Sequence, residues 1–133
     1  MKKILVESQW NGRQEMMINI PDFPHLHSSL TYNVEACKRY PHPYEYLLSA
    51  LSGIITLIIK NYSNKHCLLI TNLYISIHSN LNSKDNMPKI SIDINLDSSA
   101  SPEEFNDLQK EIHNNDLFLK LLSNNNLLQI NWN

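Results

Sequence analysis

Pro43-Tyr44-Glu45-Tyr46-Leu47-Leu48-Ser49-Ala50-Leu51-Ser52-Gly53-Ile54 opens the longest apolar block of the chain, which continues to Ile59. Proline suits a first helical turn, where the missing N–H would have had no partner within the helix. Leu47, Leu51, Ile54 and Ile58 fall on one helical stripe, and Leu48, Ile55 and Ile59 widen it until little polar surface is left. The pattern predicts a helix over residues 43 to about 63, buried on most sides. Ser49, Ser52, Gly53 and Thr56 interrupt the block, which falls short of the roughly 18 apolar residues of a membrane span. No membrane partner is expected.

Outward from this helix the chain alternates between strand and helix signals. Residues 3–10 and 14–20 are short apolar segments separated by Asn11-Gly12-Arg13, and Asn-Gly supplies the positive backbone angles of a tight hairpin turn. Pro21 and Pro24 break the pattern before a third strand over about 28–34, and a loop holding Cys37 leads to Pro43. After the helix, residues 68–79 and 89–97 predict two strands. The second sets Ile90, Ile92, Ile94 and Leu96 against Ser91, Asp93 and Asn95, one face dry and one wet. The polar stretch 80–88 between them reads as a hairpin loop. Ser101-Pro102-Glu103-Glu104 is a helix start, with serine at the cap, proline at the first position and acids against the positive end of the dipole. Phe105, Leu108 and Ile112 continue that helix, the period breaks at His113-Asn114-Asn115-Asp116, and a short helix from Leu117 precedes a last strand over 127–132. Asn115 or Asp116 is the natural cap of the short helix.

The composition narrows the class. A chain of 133 residues with 42% apolar content is expected to form one domain around one core. A formal net charge of -2 removes the electrostatic reason to expect nucleic acid. The apolar start at Ile4 stops at Glu7, short of a signal-peptide core, so a cytoplasmic protein is expected. Cys37 and Cys67 have neither a metal-ligand nor a disulfide-framework spacing. Cys67, at the beginning of the strand after the helix, reads as a small buried hydrophobe. His25 and His27 share one face of a strand, but two histidines without a third ligand do not make a metal site. Neither a metal nor a cofactor is expected.

The Pro-x-Glu-x-Leu-Leu-x-Ala-Leu-x-Gly run over 43–53, and the element order β-β-β-α-β-β-α-β, resemble the OsmC/Ohr family of hydroperoxide reductases over nearly the whole chain. The resemblance implies an α+β fold with a six-stranded, mostly antiparallel sheet, a long buried central helix and an intertwined homodimer with active sites at the subunit interface. In the family the residue after the signature glycine is the peroxide-attacking cysteine; here it is Ile54. The second family cysteine stands at the start of the short last helix, where this chain has Asn115, or Asn114 on a neighbouring alignment. Peroxide attack requires a thiolate, stabilised in the family by an arginine held by a glutamate, and the second thiol captures the oxidised first one as a disulfide. Isoleucine can do neither step.

Glu45 matches the family glutamate, and Arg13 sits in a turn at about the place of the arginine. Each also has a plainer reading, Glu45 as a first-turn carboxylate favoured by the helix dipole and Arg13 as a solvated turn residue. The pocket implied by Arg13, Glu45, Ile54 and Asn115 is apolar with an acidic rim and suits a small apolar ligand. The leading expectation is a homodimer without thiol peroxidase activity that binds a small molecule or regulates. The alternatives are a hydroperoxide reductase working through a relocated Cys37 or Cys67, and a protein-interaction module using the 80–88 loop or the Asn-rich region near Ser123.

Overall fold

A computed structural model describes residues 3–30, 40–79, 89–114 and 116–133. The chain divides into two compact units, Met1–Ser49 and Ala50–Asn133. The long helix α1, Pro43–Lys65, begins in the first and continues into the second.

The first unit is an antiparallel meander of β1 (Glu7–Trp10), β2 (Glu15–Asn19) and β3 (Leu26–Ser29). Gly12 takes φ 87° in the first turn, a conformation that only a residue without Cβ adopts freely. The turn is braced by Trp10 Nε1 donating to the Arg13 carbonyl at 2.7 Å and by the Arg13 N–H donating to Asn11 Oδ1 at 3.3 Å. Residues 3–6, expected to extend the first strand, lie outside the ladder, because β2 ends at Asn19, the partner of Glu7. The third strand ends at Ser29, and the expected continuation over 31–34 lies outside the described residues. The buried Ser28 and Ser29 both donate to the Pro41 carbonyl at 3.0 Å, and Tyr46 Oη donates to the His27 carbonyl at 2.8 Å. These bonds fix the first turns of α1 on β3.

In the second unit β4 (Ile70–Ser79), β5 (Ile90–Ser98) and β6 (Leu128–Trp132) form a sheet in that order, with β4 antiparallel and β6 parallel to β5. Between β5 and β6 the chain makes α2 (Pro102–Asn114) and α3 (Leu117–Asn124). The helical crossover is what lets β6 add parallel to β5. The predicted alternation of β5 holds, with Ile90, Ile92 and Ile94 at most 3% exposed. They share the core with Leu51, Ile55, Ile59 and Tyr62 of α1, Leu108 and Ile112 of α2, and Leu119 of α3. The start of α2 is a reciprocal capping box: the Glu104 N–H donates to Ser101 Oγ at 3.2 Å and the Ser101 N–H to Glu104 Oε1 at 3.1 Å.

Several expectations are revised. In place of one six-stranded sheet, the described residues form two sheets of three strands, since alternation marks a strand without saying which edge it pairs with. The buried stripe of α1 is Leu51, Ile55, Ile59 and Tyr62, rotated from the expected line: Leu47 is exposed, and Ile54 and Ile58 half-buried. Cys67 is exposed and precedes the strand, in the left-handed conformation at φ 54°. The Leu68 N–H donates back to the Ser63 carbonyl at 2.8 Å, so Cys67 closes α1 in the manner of a Schellman cap.

Candidate functional site

Ile54, Leu57, Ile58, Asn61, Tyr62 and Lys65 recur at three- and four-residue spacing along α1 and therefore share a face. They line a cavity of about 350 Å³ in the second unit, completed by Glu111 of α2 and Asp116 ahead of α3. The α1 face is apolar at Ile54, Leu57 and Ile58 and polar further along at Asn61 and Lys65, and Glu111 and Asp116 add carboxylates from other elements. The size is at the lower end of the roughly 300–1,000 Å³ of small-molecule sites.

Asp116 is held in place by its role as cap, with Oδ1 accepting from the Leu119 N–H at 2.9 Å. Tyr62 is nearly buried, stacked on His66 with ring centroids 4.1 Å apart, and its hydroxyl donates to the Glu104 carbonyl at 3.1 Å and to Asp107 Oδ2 at 2.9 Å. Burial, and then the Asp107 carboxylate, push the phenol up to about 12. Tyr62 is thus a neutral structural wall. Among the described residues, no thiol, serine or histidine lines the cavity.

The expected site residues are distributed as follows. Ile54 lines the cavity together with Asp116, the immediate neighbour of Asn115; Asn115 itself lies outside the described residues, as do Cys37 and the 80–88 loop. Asn114, the other candidate for the second position, ends α2 and is exposed. Arg13 and Glu45 belong to the first unit. Glu45 Oε1 accepts the His42 N–H at 3.0 Å, which makes it the acidic half of a cap on α1. Arg13 lines a separate, larger cavity of about 660 Å³ beside β2, with Gln9, Glu15, Met17 and His27 among its walls. Cys67 is not among the residues lining the cavity at Ile54. Among the described residues no three or more His, Cys, Asp or Glu side chains are grouped to hold a metal, and no helix is long and apolar enough to cross a membrane.

Sequence reasoning missed Asn61, Lys65 and Glu111. The first two continue the helical spacing from Ile54 and Ile58 and were available to the same argument that found the stripe. Glu111 was not, because the face that α2 turns toward α1 depends on tertiary packing.

Two three-stranded sheets, a long helix and a broken helical crossover define an α+β protein of the OsmC-like fold. The chain is similar to the OsmC-like protein of Mycoplasma pneumoniae, with TM-score 0.77 and 18% identity over 99% of this chain and 95% of that one. It is also similar to the organic hydroperoxide resistance protein OhrB of Bacillus subtilis, with TM-score 0.72 and 10% identity over 99% and 98%. A Legionella pneumophila organic hydroperoxide resistance protein, OsmC, gives 0.65 and 9% over 99% and 96%. No protein-family model matches the sequence, and no curated protein matches it.

Proposed function

We infer that this chain is a relative of the OsmC/Ohr hydroperoxide reductases without a thiol at either family cysteine position, a cytoplasmic homodimer of one domain over residues 1–133 that binds a small apolar molecule without turning it over. The observation that carries the reading is Ile54 in the wall of the cavity that Asp116 closes. At the position where the resemblance places the attacking thiol stands an aliphatic side chain, and among the described residues no other lining residue offers a thiolate. Attack on a peroxide oxygen has no nucleophile there. What is left is an apolar stretch of α1 beside the polar groups Asn61, Lys65, Glu111 and Asp116, a mixed lining that suits a small ligand.

Dimerisation is supported by the distribution of burial. The buried apolar residues, Leu51 to Leu119, all belong to the second unit, whereas in the first only Ser28 and Ser29 are buried among the described residues. A three-stranded sheet without a buried apolar side chain requires cover from elsewhere. A second copy of the chain supplies it.

The test is turnover of an organic hydroperoxide with a dithiol reductant, measured on the protein and on the Cys37→Ser, Cys67→Ser double variant. The expected rate is that of free cysteine in solution for the protein, with only the uncatalysed background in the variant. Rapid turnover lost on Cys37→Ser or Cys67→Ser would establish the competing enzyme reading, with a relocated thiol.

A further inference from the structure

The sequence offers His25 and His27 as a same-face pair without a third ligand, and the structure supplies a third donor of a different kind. Met17 on β2 is the register partner of His27 on β3, and directly opposed residues of an antiparallel pair share a face with Cβ atoms about 4.5–5.5 Å apart. His25, two residues back along the same chain, brings Nδ1 to 3.0 Å from Met17 Sδ. Met17 and His27 also line one cavity. The His27 ring is held by stacking on Tyr40, with centroids 4.8 Å apart and planes 25° from parallel, and no hydrogen bond occupies its nitrogens among the described residues. His25 is exposed, which leaves an open approach from solvent.

We propose that His25, His27 and Met17 form a binding site for a soft monovalent metal ion, copper(I) or its analogue silver(I). Two imidazoles and a thioether are a soft donor set; thioether sulfur selects copper(I), whereas carboxylate and carbonyl oxygens serve hard ions. The absence among the described residues of a grouped set of three His, Cys, Asp or Glu weighs against zinc, which takes its ligands from those residues. Without metal, His25 and Met17 satisfy each other through an N–H to sulfur contact. Even at the short bond lengths of zinc sites, about 2.0 Å to nitrogen and 2.3 Å to sulfur, a shared metal requires donors about 3.5–3.7 Å apart, and a larger soft ion requires more. The pair opens by roughly half an ångström or more, within reach of an unbranched methionine with three rotatable bonds. The site is independent of the cavity at Ile54.

The experiment is a silver(I) titration of the full chain carrying Cys37→Ser and Cys67→Ser, so that thiols do not compete, followed through methionine methyl resonances and against a competing chelator. One ion per chain is expected, with the Met17 methyl signal shifted. Met17→Leu, which keeps apolar bulk on the strand, and His25→Gln, on the exposed surface, should each weaken binding tenfold or more. Circular dichroism of both variants should match that of the parent. Zinc alone should bind at least tenfold more weakly than silver(I). The proposal is overturned by no silver(I) binding, by binding that survives both substitutions, by a shift confined to other methionines, or by zinc binding as tight as silver(I) that Met17→Leu leaves intact.

Discussion

Ile54 lines the cavity in the second unit, and two other single residues decide how firmly α1 is set beside it. Tyr62 anchors the helix to α2 through its hydroxyl, which donates to Asp107 and to the Glu104 carbonyl. With the folded phenol raised to about 12 from an ordinary 10.0, its contribution to stability is fully present below pH 10 and is lost as the pH rises toward 12. Tyr62→Phe should therefore lower Tm at neutral pH, and the gap between variant and parent should close between pH 10 and 12. A gap that stays constant across that window would show that the hydroxyl does not couple to folding. Cys67 holds the left-handed position at the end of α1, at φ 54°, where a side chain is unfavourable by about 1–2 kcal/mol and glycine is the preferred residue. Cys67→Gly should accordingly stabilise the fold by about 1 kcal/mol in denaturant titration, once the greater backbone freedom of glycine in the unfolded chain is subtracted.

Among the elements, the start of α3 is where the proposed alignment puts the second family thiol. Asp116 caps that helix through the Leu119 N–H, so Asp116→Ala should cost about 1 kcal/mol of stability and loosen the cavity that Ile54 lines. The paired substitution Ile54→Cys, Asn115→Cys tests the alignment itself. If the two positions face each other, mild oxidation should close an intramolecular disulfide, which demands alpha carbons about 4.4–6.8 Å apart and converging side chains. Ile54→Cys with Asn114→Cys is the control; free thiols persisting in both pairs, with the fold intact, would place the second position elsewhere. The helix starts at Pro43 and Ser101, the break before Leu117 and the alternation of β5 were legible in the sequence, because each follows from local chemistry: a missing N–H, a side-chain cap, a period of two. The burial of α1 was legible only in outline. Seven aliphatic residues drew the stripe too broad, and packing selected the line from Leu51 to Tyr62, turning Ile54 to its margin, where it could line a cavity. The division into two sheets and the exposure of Cys67 depend on strand pairing and on a positive φ that no local pattern announces in a cysteine.

At the scale of the whole molecule the two units are unequally furnished. Among the described residues the second has a core of ten buried apolar residues, while β1 of the first is exposed along its whole length. Large apolar side chains stand in solvent on both: Trp10 at 63% and Phe23 at 67% exposure in the first, Leu117 at 84% and Leu121 at 57% in the second. Leu117 and Leu121 are four residues apart on α3 and form a ridge on one face of that helix. Scattered apolar residues are normal on a protein surface, but the ridge on α3, and separately a sheet with no buried apolar side chain among the described residues, are features the proposed homodimer would cover. A homodimer is therefore expected to sediment at twice the 15.5 kDa of the chain at micromolar concentration, since an obligate interface of this kind does not dissociate there. If the proposed association covers the first unit, dilution or added urea should unfold the chain in a concentration-dependent transition, with the midpoint rising as protein is added. The Leu117→Glu, Leu121→Glu variant should shift that midpoint down and populate a monomer if the ridge lies in the interface. A parent chain that sediments as a folded monomer, with a midpoint independent of concentration, would mean that the sheet of the first unit stands without cover, and the homodimer would have to be abandoned.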